Sequence, residues 1–359
     1  MNFENLKRYG FSPRFEQEAT LHEGLFPARV LEQHRELYKL VSEDGELVAS
    51  VSGKLAHNAA TNADFPAVGD WVMTDRTDKG GGNAVIHAVL RRKSAFERKA
   101  AGTSNATQVV AANIDTVFIC MSLNANFNVR RLERYLSIVW DSMAAPVIVL
   151  TKADLCGDID ARMKELSAAA VGTDVVTCSV MEEDGYRGVL PYVKAGKTVA
   201  FIGSSGVGKS TLINRLMGED VLITSELGTD DTGRHTTTHR QLLLLPGGGI
   251  VIDTPGMREL QLEYGELTRT FGDIEELAAF CRYRDCSHLA EPGCAVKRAI
   301  EEGTLDRARL HSYQKLQKEI GYAEQNARQR EQEKINRIFG SKGQMKQTMR
   351  EIRNKNKFQ

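Results

Sequence analysis

The sequence lacks most of what marks a secreted or membrane-spanning chain. Six cysteines among 359 residues are too few for a disulfide framework, and a reducing compartment would disfavour pairing them. No apolar run approaches the ~20 residues that a membrane helix requires. The opening stretch, MNFENLKRYGF, has no apolar core of the kind a signal peptide carries, so a cytoplasmic chain with no membrane partner is expected. Net charge is also absent, with 47 basic against 47 acidic residues, and the global balance alone gives no reason to expect a nucleic acid. No repeat of 20–50 residues is visible, which argues against a solenoid or a propeller. What remains is an ordinary soluble composition, 42% hydrophobic and 26% charged, which excludes wholesale disorder. At ~100–200 residues per domain the length suggests two or three domains.

Three textures follow one another. Residues 1–95 carry short β-like runs (28–30, 37–41, 46–51, 71–74 and 85–89) separated by Gly and Asp turns, the pattern of a small β-barrel. From about 110 to 256, apolar strands (116–121, 146–150, 174–178, 198–202, 241–245, 249–252) alternate with helical patterns (129–142, 159–170, 209–217). That alternation predicts an α/β sheet covered on both faces. Residues 263–359 read as helical and polar, with Leu310, Tyr313, Leu316 and Ile320 on one helix face. From Arg328 onward there are ten basic and three acidic residues, a net +7 that leaves the rest of the chain at −7. The zero average therefore hides a basic tail, and with only Phe339 and Phe358 as aromatics such a tail suits phosphates better than bases. The expected domains are 1–95, 96–262 and 263–359.

The chemistry is concentrated in a few motifs. Gly203-Ser204-Ser205-Gly206-Val207-Gly208-Lys209-Ser210, followed by Thr211, fits a phosphate loop between a strand and a helix. Its glycines let successive N–H groups turn inward onto phosphate oxygens, and the helix N-terminus adds positive potential. Lys209 is expected on the β- and γ-phosphates and Ser210 on Mg²⁺. Asp253-Thr254-Pro255-Gly256 follows an apolar strand. Asp253 is placed to hold Mg²⁺ through water, and Gly256 to offer its N–H to the γ-phosphate. Between these lies Gly233-Arg234-His235-Thr236-Thr237-Thr238-His239. A switch that senses the γ-phosphate needs a threonine on Mg²⁺; any of the three fits, and Thr237 is expected to serve. Thr151-Lys152-Ala153-Asp154 also follows a strand. Asp154 suits the two donors of guanine N1–H and its exocyclic amine, and the Lys152 stem suits the base plane. Cys178-Ser179 offers a further base contact through Ser179.

The order of these motifs is itself informative. The base reader at 151 precedes the phosphate loop at 203, and the D-x-x-G motif at 253 comes last. Ordinary GTPases run phosphate loop first and base reader later, so the set points to a circularly permuted GTPase whose γ-phosphate sensor leads directly into the C-terminal region. Farther on, Cys281-x4-Cys286-x-His288-x5-Cys294 supplies three thiolates and an imidazole, a donor set suited to one structural Zn²⁺ with no open position for catalysis.

On these motifs, and on Val68-Gly69-Asp70-Trp71-Val72 and Ala111-Ala112-Asn113-Ile114-Asp115, nearly the whole chain resembles the ribosome small-subunit-dependent GTPase family, RsgA, also called YjeQ or YloQ. The resemblance implies an N-terminal OB-fold, a central permuted GTPase domain and a C-terminal helical zinc-binding domain. It also implies a protein that binds the small ribosomal subunit and its rRNA late in maturation and leaves after hydrolysing GTP to GDP. A monomer is expected. Two positions depart from the common pattern. Thr151 stands where the base-reading motif more often has Asn; it keeps a hydroxyl but not an amide. Met257 stands where many GTPases place a water-orienting Gln, and a thioether is a poor hydrogen-bonding partner for water. Slow intrinsic turnover is therefore expected, with His235 as the candidate for orienting water. The competing readings are a P-loop kinase acting on another acceptor, or an RNA-binding switch protein not tied to the ribosome. The first requires no guanine preference, and the base-reading motif argues against it.

Overall fold

The computed structural model describes residues 3–78, 80–99, 107–219, 240–253 and 267–321. Five N-terminal strands close on themselves: β1 (Phe26–His34), β2 (Leu37–Ser42), β3 (Gly45–Val51), β4 (Trp71–Thr74) and β5 (Ala84–Val89), in the order β1-β2-β3-β5-β4 with β4 returning to β1. Closure depends on β1. Its register shifts between Val30 and Glu32, a bulge that bends the strand. Its first half then pairs with β4 (Phe26 opposite Thr74, Arg29 opposite Trp71), while its second half follows β2. A parallel β3–β5 pairing and a short helix between β3 and β4 (Gly53–Asn58) complete an OB-type barrel. The barrel interior holds Ala28, Val30, Leu40, Leu47, Val72 and Ile86. Two helices precede it, α1 (Glu4–Arg8) and α2 (Pro13–Ala19), and pack Leu6, Phe11 and Phe15 against Trp71. At five and seven residues they are too short to show a helical period in the sequence.

The central region is a mostly parallel sheet. Strands β8 (Thr116–Ser122), β9 (Ala145–Thr151), β10 (Asp174–Thr177), β11 (Thr198–Ile202) and β13 (Ile250–Asp253) run parallel in the order β10-β9-β8-β11-β13. Burial is nearly continuous along β8, β9 and β11, as expected for strands covered on both faces. Helices α4 (Val129–Asp141), α5 (Ile159–Leu166) and α6 (Lys209–Met217) lie at the expected places. The sheet's last strand, β12 (Gln241–Leu244), is antiparallel to β13, and Gln241 also pairs with Glu32 of β1. Barrel and central sheet are thereby joined into one hydrogen-bonded surface of 11 strands. A separate hairpin, β6 (Ala95–Lys99) with β7 (Thr107–Ala112), links the two regions; neither is among the strands expected from the sequence, although Val109–Ala112 is apolar and buried.

The two motifs 68–72 and 111–115 meet at this junction. Ala112 N–H donates to Val68 O at 2.9 Å. Gly69 adopts φ +90°, and a Cβ there would sit 2.3 Å from Ala112 O, so only glycine fits. Arg29, fully buried, reaches from the barrel to Gly69 O, Asn113 O, Tyr9 O and, at 2.9 Å, the Thr198 hydroxyl of β11. Burial pulls its pKa down to about 10, against the attraction of Asp115 and Asp70, so it stays charged at neutral pH.

The C-terminal part of the described chain is helical: α7 (Leu267–Thr270), α8 (Gly272–Ala278), α9 (Ala295–Glu301) and a last helix over 307–321. Leu310, Tyr313 and Leu316 are buried in the main core, as their spacing implied.

Candidate nucleotide site and metal cluster

All four motif loops within the described residues leave the carboxyl ends of parallel strands: Thr151 from β9, Ser179 after β10, Gly203 from β11 and Asp253 at the end of β13. In an open α/β sheet this is the edge at which ligands bind. The phosphate loop lies close against the sheet. Gly203 has φ +144°, and a Cβ on it would lie 2.3 Å from Cys120 O of β8, so the neighbouring strand admits only glycine there. Gly208, with φ +94°, turns the chain into α6. Lys209 Nζ donates to Gly203 O at 2.8 Å and Ser204 O at 2.7 Å, curling back over its own loop. The Ser204 hydroxyl oxygen is buried without a hydrogen-bond partner, and Ser205 and Gly206 face solvent while Val207 is buried. A loop of inward-turned backbone with one orphaned hydroxyl and a folded-back ammonium is the form of a cradle for phosphate oxygens.

The base-reading segment is tied to that cradle. The Thr151 hydroxyl donates to Val207 O at 2.6 Å, so the threonine supplies the bond to the phosphate loop without an amide. Lys152 adopts the left-handed region at φ +57°, which lets Ala153 N–H donate to Cys178 O at 3.2 Å and draws the 151–154 and 178–179 loops together. Ser179 donates to Asp154 Oδ1 at 2.7 Å, fixing the carboxylate's orientation. Ser179 was expected to touch the base itself; here its hydroxyl is engaged with Asp154. Cys120 and Cys178 are buried, and burial raises both thiols, Cys120 to about 12 and Cys178 to about 11, which makes them packing residues. His235, Thr237, Gly256 and Met257 lie outside the described residues, as does the basic tail from Arg328.

The second cluster brings together all four expected donors. The ligand atoms of Cys281, Cys286, His288 and Cys294 lie within 4.8 Å of one another, a set able to hold a metal ion. Cys281 Sγ is 3.8 Å from Cys294 Sγ, and His288 Nδ1 is 3.7 and 3.4 Å from these two sulfurs. His288 reaches them from a left-handed backbone, φ +58°. The neighbouring turn is held by Glu291, whose carboxylate accepts from the N–H groups of Ser287, Leu289 and Ala290. No sequence signal pointed to Glu291, because its partners are backbone groups.

A third arrangement, also not legible beforehand, anchors the helical region. Buried Arg309 donates to Glu133 Oε1 of α4 at 2.7 Å, to both oxygens of Asp273 at 2.7 and 2.9 Å, and to Thr270 O at 2.8 Å. Arg130 joins at Glu133, 2.6 Å away. α7 and α8, which follow the D-x-x-G segment in sequence, are thus fastened to α4, which covers the central sheet.

Among the described residues no helix is long and apolar enough to cross a membrane. The model of the RsgA GTPase family matches residues 89–263. A "Small ribosomal subunit biogenesis GTPase RsgA 2" of Lactiplantibacillus plantarum is 52% identical over 343 residues, covering 95% of this chain and 97% of its own. Among solved structures, YjeQ from Thermotoga maritima aligns with a TM-score of 0.60 at 27% identity, over 82% of this chain and 98% of that one. YloQ, described as a circularly permuted GTPase, aligns at 0.57 and 26% identity, over 84% and 96%.

Proposed function

Because the chain belongs to the RsgA GTPase family, we propose that it is a cytoplasmic assembly factor that binds the small ribosomal subunit and its rRNA, hydrolyses GTP there and leaves as the GDP form. The observation that carries the nucleotide part is the Thr151–Val207 bond together with Ser179–Asp154. These make base reader and phosphate cradle a single unit. In this reading Asp154 accepts from guanine N1–H and the exocyclic amine, and Lys152 covers the base. The N–H groups of Gly203 to Thr211 surround the phosphates. Lys209 exchanges its two loop carbonyls for β- and γ-phosphate oxygens, an exchange of neutral acceptors for charged ones that strengthens each bond.

Mg²⁺ would be held by Ser210 and Thr237 directly and by Asp253 through water; when bound, it neutralises charge developing on the transferred phosphoryl group. Gly256 offers its N–H to the γ-phosphate. With Met257 unable to orient water, His235 takes that role on the subunit. The barrel (1–95), the permuted GTPase region (96–262) and the helical region with its basic tail (263–359) act as domains, and the protein works as a monomer.

The metal in the four-ligand cluster is Zn²⁺. A tetrahedron with bonds of about 2.3 Å to sulfur and 2.0 Å to nitrogen has edges of roughly 3.8 Å between sulfurs and 3.5 Å between sulfur and nitrogen. The distances of 3.8, 3.7 and 3.4 Å fit it. Four protein ligands leave no position for a reacting water, so the ion is structural.

GTP turnover titrated with purified small and large subunits tests the reading. Stimulation by the small subunit, with GTP strongly preferred over ATP, is the expected outcome. Stimulation by the large subunit alone would overturn it.

A further inference from the structure

The loop that begins at Ser179 is closed on itself by a glycine. Ser179 N–H donates to Gly185 O at 2.9 Å, and Gly185 N–H donates to Glu182 O at 3.3 Å. A Cβ on Gly185 would lie 2.1 Å from Ser179 O and 3.0 Å from the Glu182 side chain. Any other residue at 185 must therefore push the two ends of the loop apart, because the nearest obstacle is backbone and not a side-chain tip that could swing away. Closeness alone makes the demand, since Gly185 is not among the glycines with positive φ. Residues 181–184 between the two ends are exposed. The closure, and not the packing of those side chains, keeps the ends together.

What the closure holds is Ser179, which is buried. On one side, Cys178 is fixed by its N–H to Leu150 O at 2.8 Å and by its carbonyl, which accepts from Ala153 N–H. On the other, Arg215 of α6, the helix into which the phosphate loop leads, donates to Val180 O at 3.3 Å. Gly185 adds the third tie, on the Ser179 N–H itself. With its backbone held in this way, the Ser179 hydroxyl is aimed at Asp154 Oδ1, 2.7 Å away. A carboxylate meets two parallel donors on one edge only when its plane lies along that edge, whereas a single donor is met from many angles. We propose that Gly185 is a positioning residue for guanine: by letting the 179–185 loop close, it holds Ser179 on Asp154 and so sets the carboxylate plane along the base edge. The proposal rests on the reading of Asp154 as the guanine-binding group given above. Gly185 touches no nucleotide itself and acts through two links, Ser179 and Asp154.

The test uses the full chain as G185A, S179A and the double variant. Affinities for GDP, inosine diphosphate and ADP are measured by displacement of a fluorescent GDP, with thermal unfolding of each protein alongside. Inosine keeps the N1–H of guanine and lacks the exocyclic amine. The ratio of GDP to inosine diphosphate affinity therefore reads the orientation of Asp154 apart from the general integrity of the site. That ratio should fall about tenfold in G185A and in S179A, the worth of one hydrogen bond to a charged group, while inosine diphosphate affinity changes by less than about threefold. The double variant should match the single ones, because both cut the same chain of contacts. Equal losses for the two nucleotides in G185A would overturn the proposal, since that is what a merely structural glycine gives. Additive losses of the ratio in the double variant would do the same. An unchanged ratio in S179A breaks the chain at its middle link and overturns the proposal whether or not G185A folds. If the unaltered protein binds GDP no better than ADP, the guanine reading falls and the proposal with it. If it prefers GDP strongly and G185A keeps the ratio, the proposal alone falls.

Discussion

Thr151 shows how a single atom preserves a motif whose residue type has changed. Its hydroxyl, 2.6 Å from Val207 O, bonds the 151–154 segment to the loop at 203–210. Removing it leaves a buried carbonyl unpaired, at a cost of about 1–3 kcal/mol. Thr151→Ala should therefore weaken fluorescent-GDP binding roughly tenfold, while Thr151→Ser restores most of it; equal affinity in all three proteins would sink the assignment. Asp115 gives a pH dependence. Burial alone would raise its pKa, but Lys93 at 2.8 Å, the Thr198 N–H at 2.8 Å and Lys197 at 3.4 Å outweigh that and hold it below the usual carboxylate range. On Lys93 itself burial outweighs Asp115's attraction and the ammonium's pKa falls, so the pair's pH-dependent stabilisation is read on the acid side. A depressed folded-state pKa contributes stability that is present above the unfolded value near 3.9 and lost as pH falls through the folded value. The stability gap between the unaltered protein and Asp115→Asn, from urea unfolding, should shrink between about pH 5 and pH 2. A gap that stays constant with pH would rule this out.

At the scale of elements, the metal cluster and its loop belong to the fold more than their spacing suggested. The sequence reads as a knuckle whose only core is the metal. Cys294, Val296 and Ala299 instead join the main core with Leu310 and Tyr313, and Cys281 and Cys286 pack at its margin. The ligand loop between Cys281 and Cys294 contains exposed Tyr283 and Leu289 and little buried apolar surface of its own. Chelating the metal should consequently loosen 281–293 without unfolding the molecule. Hydrogen exchange should accelerate there and stay unchanged in β8, β9 and β11; protection lost across the whole sheet would contradict this. The same contrast separates what was and was not legible in the elements. The strands of barrel and sheet announced themselves by period and apolar content. The short helices α1 and α2 did not, because one or two turns carry no period, and the hairpin β6–β7 did not, because β6 is short and ends in three charged residues while the apolar end of β7 shows no alternation.

Across the whole molecule, two buried polar junctions tie the parts together. Arg29 fastens the barrel to β11, and Arg309 fastens α7 and α8 to α4. Arg309→Met should cost about 3–5 kcal/mol, because it leaves Glu133 charged and fully buried with only Arg130 beside it. Adding Glu133→Gln should recover a large part of that loss in urea unfolding. A double variant no more stable than the single would show that the loss lies in packing against Phe271, over whose ring Arg309 lies at 4.9 Å. α7 and α8 follow the D-x-x-G segment in sequence, so this junction ties down the part of the chain that comes after that motif.

By itself the sequence put forward the candidate chemistry: which residues are proposed for the phosphate loop and the base reader, which four residues make up the Cys/His cluster, and in which order they come. Those motifs are local, and a local motif is written in consecutive residues. It also determined the strands whose burial imposes an unbroken apolar run. Only the tertiary structure decided the joins. That β12 pairs with the barrel strand β1, that the motifs at 68–72 and 111–115 are two halves of one contact, and that Glu133 waits for Arg309 all depend on residues far apart in the chain. Such pairings satisfy buried charges and backbone groups one partner at a time, and no periodicity along the chain records which partner will arrive.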